Sequence, residues 1–155
     1  MEVKVSLSSL NQTEKLAQKI APLLDVGDVL LLKGELGTGK STFARYLLWA
    51  MGHKGDVPSP TFTLVQSYDL SKLRLSHFDL YRLKTPEEIE EIGFDEAVAD
   101  GAVLVEWPEK ASGYMPGDAL QLTFVFGSKQ ERFVDIEALS PRWSNKIARE
   151  FTNGN

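Results

Sequence analysis

Cysteine is absent from this 155-residue sequence, which excludes disulfides, thiolate metal sites and cysteine catalysis. Histidine is scarce. His53 and His77 stand isolated, so each reads as structural, and a dedicated zinc site is not expected. No apolar run approaches the roughly 18 residues that a membrane span needs, and Val29 to Leu32 is strand-sized. The N-terminus, Met1-Glu2-Val3-Lys4-Val5, lacks the basic-then-apolar layout of a secretory signal, so a cytoplasmic location is expected. A basic excess is missing too. Seventeen Lys and Arg against 22 Asp and Glu leave a net charge of −5, whereas a domain that grips nucleic acid through its own surface carries a basic face. Strong direct nucleic-acid binding is therefore not expected. The acidic residues Glu87, Glu88, Glu90, Glu91, Asp95 and Glu96 crowd one stretch, which reads as a solvated helix face favoured by the helix dipole, the alternative being a docking surface for a basic partner.

What the sequence does have is a regular alternation of short apolar runs and helical stripes. No repeat, low-complexity tract or linker breaks it, so one domain is expected over residues 1–155. A strand is expected near Glu2 to Leu7. Asn11 looks like a helix N-cap with Glu14 completing a capping box, and Leu16, Ile20, Leu23 and Leu24 follow at helical spacing. Val29–Leu32 is a continuous apolar run, typical of a strand buried on both faces. A second helix is expected from about Lys40 to Met51. Two strands, Phe62 to Tyr68 and Leu73 to Leu80, follow as a hairpin, and Thr85-Pro86 reads as the cap and first position of a helix that Gly93 interrupts. Ala102–Glu106 is another buried-type strand. Leu120–Phe126 and Phe133–Ala138 alternate as a strand pair, and a terminal helix over about 141–151 carries Trp143, Ile147 and Phe151 on one face. The expected class is α/β, a sandwich with a mixed sheet.

Gly34-Glu35-Leu36-Gly37-Thr38-Gly39-Lys40-Ser41 satisfies G-x-x-x-x-G-K-[ST] at every specified position, between an apolar strand and a helix. Glycines let successive backbone N–H groups face an anion, and the helix N-terminus adds a favourable dipole. Lys40 is expected to reach the outer phosphates, and the Ser41 hydroxyl to ligate Mg²⁺. Such a loop needs a carboxylate to complete the metal shell and a group to orient the attacking oxygen. Asp79 and Glu106 both end apolar strands, where acids converge on a phosphate site. Ser41, Glu106 and Asp79 are thus the candidate metal ligands, with Glu106 placed beside Ser41 and Asp79 as the water-orienting or outer group. Ser59-Pro60-Thr61-Phe62 occupies the position of a switch segment, where Thr61 would sense the metal and γ-phosphate. Trp107 either closes over the nucleotide or packs into the core.

The ordered set of the glycine-rich loop through Thr42, Ser59-Pro60-Thr61-Phe62, His77-Phe78-Asp79-Leu80-Tyr81-Arg82-Leu83 and Glu106-Trp107-Pro108 resembles the TsaE (YjeE) family. These are small P-loop ATPases of bacterial tRNA threonylcarbamoyladenosine synthesis. The resemblance implies a P-loop NTPase-like three-layer sandwich with a mixed, partly parallel central sheet. It implies ATP as substrate, Mg²⁺ as cofactor, TsaB and TsaD as partners, and tRNA engaged indirectly through them. By matching positions it assigns Glu35, Leu36, Gly37, Thr38, Gly39, Lys40, Ser41 and Thr42 to the nucleotide phosphates. Lys40, Thr61, Asp79 and Glu106 become the catalytic set, and Trp107 lies near the nucleotide or a partner. Many members have Thr at the Ser41 position, and either hydroxyl suits Mg²⁺. The terminal helix matches the family least. No arginine finger stands out, although Arg45 and Arg82 are candidates, so slow hydrolysis that partners accelerate is expected. The rival readings are a small-molecule or nucleotide kinase and a non-hydrolysing nucleotide sensor. A GTPase is disfavoured, since Asn145-Lys146-Ile147-Ala148 lacks the guanine-reading Asp.

Overall fold

In the computed structural model, which describes residues 2–151, the apolar runs become one seven-stranded sheet. The strands are β1 (Glu2–Ser6), β2 (Val29–Lys33), β3 (Val65–Asp69), β4 (Arg74–Asp79), β5 (Gly101–Glu106), β6 (Leu120–Phe126) and β7 (Arg132–Ala138). Their spatial order is β1-β7-β6-β2-β5-β4-β3. The middle of the sheet, β6-β2-β5-β4, is parallel, while β7 and β1 on one side and β3 on the other run antiparallel to their neighbours.

The helices are α1 (Leu10–Ile20), α2 (Lys40–Ala50), α3 (Glu88–Glu91), α4 (Phe94–Asp100) and α5 (Pro141–Phe151). Strand side chains alternate between the two faces. Leu30, Leu32, Leu75, Ala102 and Leu104 therefore share one core with Leu122, Val134 and Ile136, Leu16 and Ile20 of α1, Phe43 and Leu47 of α2, and Trp143 and Ile147 of α5, which packs on β7. Val29, Leu31, Phe78, Val103 and Val105 meet Ile89 and Phe94 of α3 and α4 on the opposite face. The result is the expected three-layer α/β sandwich with a mixed sheet.

Three local expectations change. The N-cap of α1 is Ser9, whose hydroxyl accepts from the Gln12 N–H at 3.2 Å, and Asn11 already lies inside the helix. The hairpin's first strand starts only at Val65. The Leu64 N–H turns back to Pro60 O at 2.7 Å, and Leu64 itself takes φ 70°, which leaves Phe62 outside the sheet. Helix α3 begins at Glu88, and the Glu88 carboxylate accepts from the Lys84 and Thr85 N–H groups, each at 2.8 Å. The reaching-back half of a capping box thus forms here without the Thr85 cap.

Candidate nucleotide-binding site

The loop between β2 and α2 is drawn against β6. A Cβ on Gly34, at φ 139°, would stand 2.5 Å from the Phe124 carbonyl oxygen, so no larger residue fits there. Beyond it, Thr38 closes a turn by donating its hydroxyl to Glu35 O at 2.6 Å. Gly39 then enters α2 in the left-handed region and offers no side-chain cap. The first N–H groups of α2 are therefore not capped by a side chain of the preceding residue, the arrangement that suits an anion.

Parallel pairing of β4 with β5 sets Asp79 opposite Glu106. Both carboxylates are buried at the carboxyl ends of their strands, on the α2 face. Ser41 donates its hydroxyl to Glu106 Oε1 at 3.3 Å, so the first turn of α2 and the end of β5 are joined through the two groups expected to share a metal. Asp79 is held differently. Its Oδ1 accepts the Tyr81 N–H at 3.0 Å, and its Oδ2 accepts the hydroxyls of Thr61 at 3.2 Å and Ser59 at 3.4 Å. The Ser59-Pro60-Thr61 segment is thereby tethered to the acid across the cleft.

Lys40 is only 4% exposed. Its ammonium donates to the Gly34 carbonyl and sits 3.3 Å from the centre of the Trp107 ring. Burial pushes the Lys40 pKa below its ordinary value, against the opposing pull of the Glu106, Glu109 and Asp79 carboxylates. Trp107 reaches this place from a left-handed backbone conformation, φ 60°, immediately after β5, and Tyr81 packs on it at 5.0 Å between ring centres. Neither open alternative for Trp107 describes it fully. It covers the loop lysine and also packs against the Val103 and Val105 core.

A cleft of about 520 Å³ gathers Leu36, Gly37, Gly39, Lys40, Ser41, Thr42, Thr61, Asp79, Glu106 and Trp107 along its walls. Glu35 and Thr38 belong to the loop but not to these walls. Ser59, Tyr81, Arg82 and Arg132 also line it. Arg82 stacks 4.4 Å from the Phe62 ring, and Arg132 lies 5.7 Å from that of Phe126. Arg45 instead donates to the Thr42 hydroxyl at 3.3 Å. Two residues escaped the sequence reading. Arg132 opens a strand far along the chain and carries no motif. His77 looked isolated, yet its Nε2 lies 2.7 Å from Glu106 Oε2. Its spacing, two residues before Asp79 on one strand, was the available signal. Among the described residues no three His, Cys, Asp or Glu side chains gather as a self-sufficient metal cluster.

Against known proteins, residues 7–134 match the family model described as Threonylcarbamoyl adenosine biosynthesis protein TsaE. A Rickettsia felis protein named tRNA threonylcarbamoyladenosine biosynthesis protein TsaE is 34% identical over 154 residues, covering 91% of this chain and 90% of the relative. Its namesake from Rickettsia conorii is 45% identical over 105 residues, 67% of this chain and 60% of the relative. The crystal structure of Bacillus subtilis YdiB superposes with a TM-score of 0.85 at 28% identity, covering 100% of this chain and 97% of that one. The structural likeness thus runs beyond the family-model match and takes in α5. With residues 7–134 matching the family model and a relative 34% identical over 91% of this chain, the chain belongs to the TsaE family.

Proposed function

We propose that this chain is a Mg²⁺-dependent ATPase that acts as an accessory subunit in bacterial tRNA N6-threonylcarbamoyladenosine synthesis, with TsaB and TsaD as partners and tRNA held by the complex. The observation that carries this reading is the convergence of Lys40, Ser41, Asp79 and Glu106 on one cleft at the N-terminus of α2. That donor set fits the group it would take. Mg²⁺ at a nucleotide uses one or two protein oxygens and completes its shell with phosphate and water. Ser41 Oγ and Glu106 Oε1, already 3.3 Å apart, are the oxygens that would hold it, and Asp79 is the outer carboxylate. When bound, the ion neutralises charge on the phosphates.

The residues of the chain do the rest. Lys40 offers a partly dehydrated ammonium whose present partners, a carbonyl and an indole face, are weaker than phosphate oxygens. Asp79 fixes Ser59 and Thr61 at the cleft rim, where these hydroxyls can respond to a terminal phosphate. The guanidinium groups of Arg82 and Arg132 are engaged with aromatic rings, which favours slow turnover by the isolated chain. A cytoplasmic setting accords with this function. No helix among the described residues is long and apolar enough to cross a membrane.

The test is phosphate release from Mg·ATP, measured with and without TsaB and TsaD, beside Lys40→Ala. The expected result is slow release that rises with partners and vanishes in the variant. ATP binding without release in any mixture would replace the ATPase with a nucleotide sensor.

A further inference from the structure

His77 is 2% exposed and sits on β4 in register with Leu104, on the sheet face that also carries Asp79 and Glu106. On the side away from Asp79 and Glu106, its neighbours on that face of β4 and β5, Leu75, Ala102 and Leu104, are apolar and fully buried. An imidazole in such company loses hydration that an apolar ring of similar size would never have had. Its Nδ1 is buried with no partner, so the bond from Nε2 to Glu106 is the only polar attachment the ring makes. A carboxylate offers only acceptors, hence Nε2 carries the proton and donates. Glu106 is therefore gripped from two sides, with Oε2 taken by His77 at 2.7 Å and Oε1 turned toward Ser41 at 3.3 Å. Removing the first grip frees the carboxylate to rotate about its terminal bond and leaves one buried oxygen unpartnered.

We propose that His77 is a positioning residue for Glu106: it fixes which carboxylate oxygen faces Ser41, and so sets the metal affinity of the site. The proposal rests on the ATPase reading above for the identity of the ion, but it concerns a contact that the phosphate loop does not require. Partners that orient a metal-ligating carboxylate are worth about 10–100-fold in metal affinity or activity when lost.

Gln and Met are close to His in volume and differ at the polar end, since only Gln keeps an N–H donor near the place of Nε2. The experiment compares His77→Gln with His77→Met. His77→Asn serves as second variant, because its amide nitrogen falls where Nδ1 stands and does not reach Glu106, and it replaces the Met variant if that chain does not fold. Two quantities are read on the full chain. The first is the rise in melting temperature when Mg²⁺ is titrated into ADP-saturated protein. The second is kcat and KM for phosphate release with TsaB and TsaD.

In the Met and Asn variants the half-saturating Mg²⁺ is expected to rise by about 10–100-fold and kcat to fall similarly. Stabilisation by ADP without Mg²⁺ should persist, and the Gln variant should keep most of both properties. In a Glu106→Gln background the Met substitution should add no further loss. Equal behaviour of Gln, Met and Asn variants, whether all intact or all impaired, overturns the proposal. So does an additive loss in the double variant, or a wild-type chain whose melting temperature ignores Mg²⁺. If phosphate release is absent from every sample but the Mg²⁺-dependent shift follows the predicted order, the ATPase reading fails and the role of His77 stands.

Discussion

The two halves of the sheet solve different problems. In the parallel half, β2 and β5 are covered by helices on both faces, and their residues are buried almost without interruption. In the antiparallel half, β7 and its partner β6, which is parallel to β2 on its other side, bury Leu120, Leu122, Phe124, Val134, Ile136 and Ala138 on one face only. Their other face is half-buried and mostly polar, with Gln121 donating to Glu137 across the strands at 3.2 Å and Val125 opposite Phe133 as its one apolar pair. Continuous apolar runs and strict alternation in the sequence are the direct signatures of these two environments. Chemistry collects in the first half because parallel strands all present their carboxyl ends at one edge, where a loop and two acids can meet. The second half thickens the core under α1 and α5 and sends only Arg132 to the cleft.

If that division is sound, stability and activity should separate by half. Trp143 of α5 is fully buried against the antiparallel half. Trp143→Ala should lower the unfolding free energy by about 3–5 kcal/mol, read from urea midpoints, while phosphate release per folded molecule stays unchanged. A proportional fall in rate would show that the halves are coupled. Glu106→Gln asks the converse question. The amide is isosteric and its oxygen can still accept from His77, so the unfolding free energy read from urea midpoints should fall by only about 0.5–1.5 kcal/mol, whereas release should slow by about 100-fold.

The smallest effect concerns the tie between the halves, where Lys146 and Arg142 of α5 reach Asp25 and Asp28 at the turn entering β2. The hydrogen bond from Lys146 is the main cause that holds the Asp25 carboxyl below its ordinary 3.8. A depressed acid contributes stability that is fully present above 3.8 and is lost as pH falls through the lowered value. Asp25→Asn should therefore make the decline of melting temperature in that acid range slightly shallower. Because Asp25 is largely exposed, water screens the pair, and a change too small to resolve near neutrality is expected.

The parts of the fold readable from sequence were those where one residue pattern admits one environment. Val29–Leu32 and Ala102–Glu106 could hardly be anything but buried strands, and the glycine-rich loop between strand and helix fixes its own geometry. Legibility fails where several residues compete for a role. Ser8, Ser9 and Asn11 are all good caps, and Ser9 is the one that takes the role, with Thr13 and Leu16 of the helix it opens buried in the core. Phe62 and Thr63 carry strand propensity, but the turn from Pro60 to Leu64 excludes them from the ladder. In the site, Lys40, Ser41, Asp79 and Glu106 were legible because motif and strand ends mark them. The Trp107 contact depends on one left-handed residue, and the His77 contact on the β4–β5 register, so neither could be read along the chain.

The strand order also constrains how the protein is made. Val29 pairs with Val103 on one side, and β6 lies later still on the other. At about 5–20 residues per second, a ribosome needs roughly 4–15 s to supply the first of these partners. During that interval the apolar run that will carry the phosphate loop is synthesised but unpaired. The N-terminal strand waits longer, because its one partner, β7, spans Arg132–Ala138. Folding is thus largely deferred to the end of translation, and a chain stalled before Glu106 exposes its most apolar segments to chaperones and to aggregation.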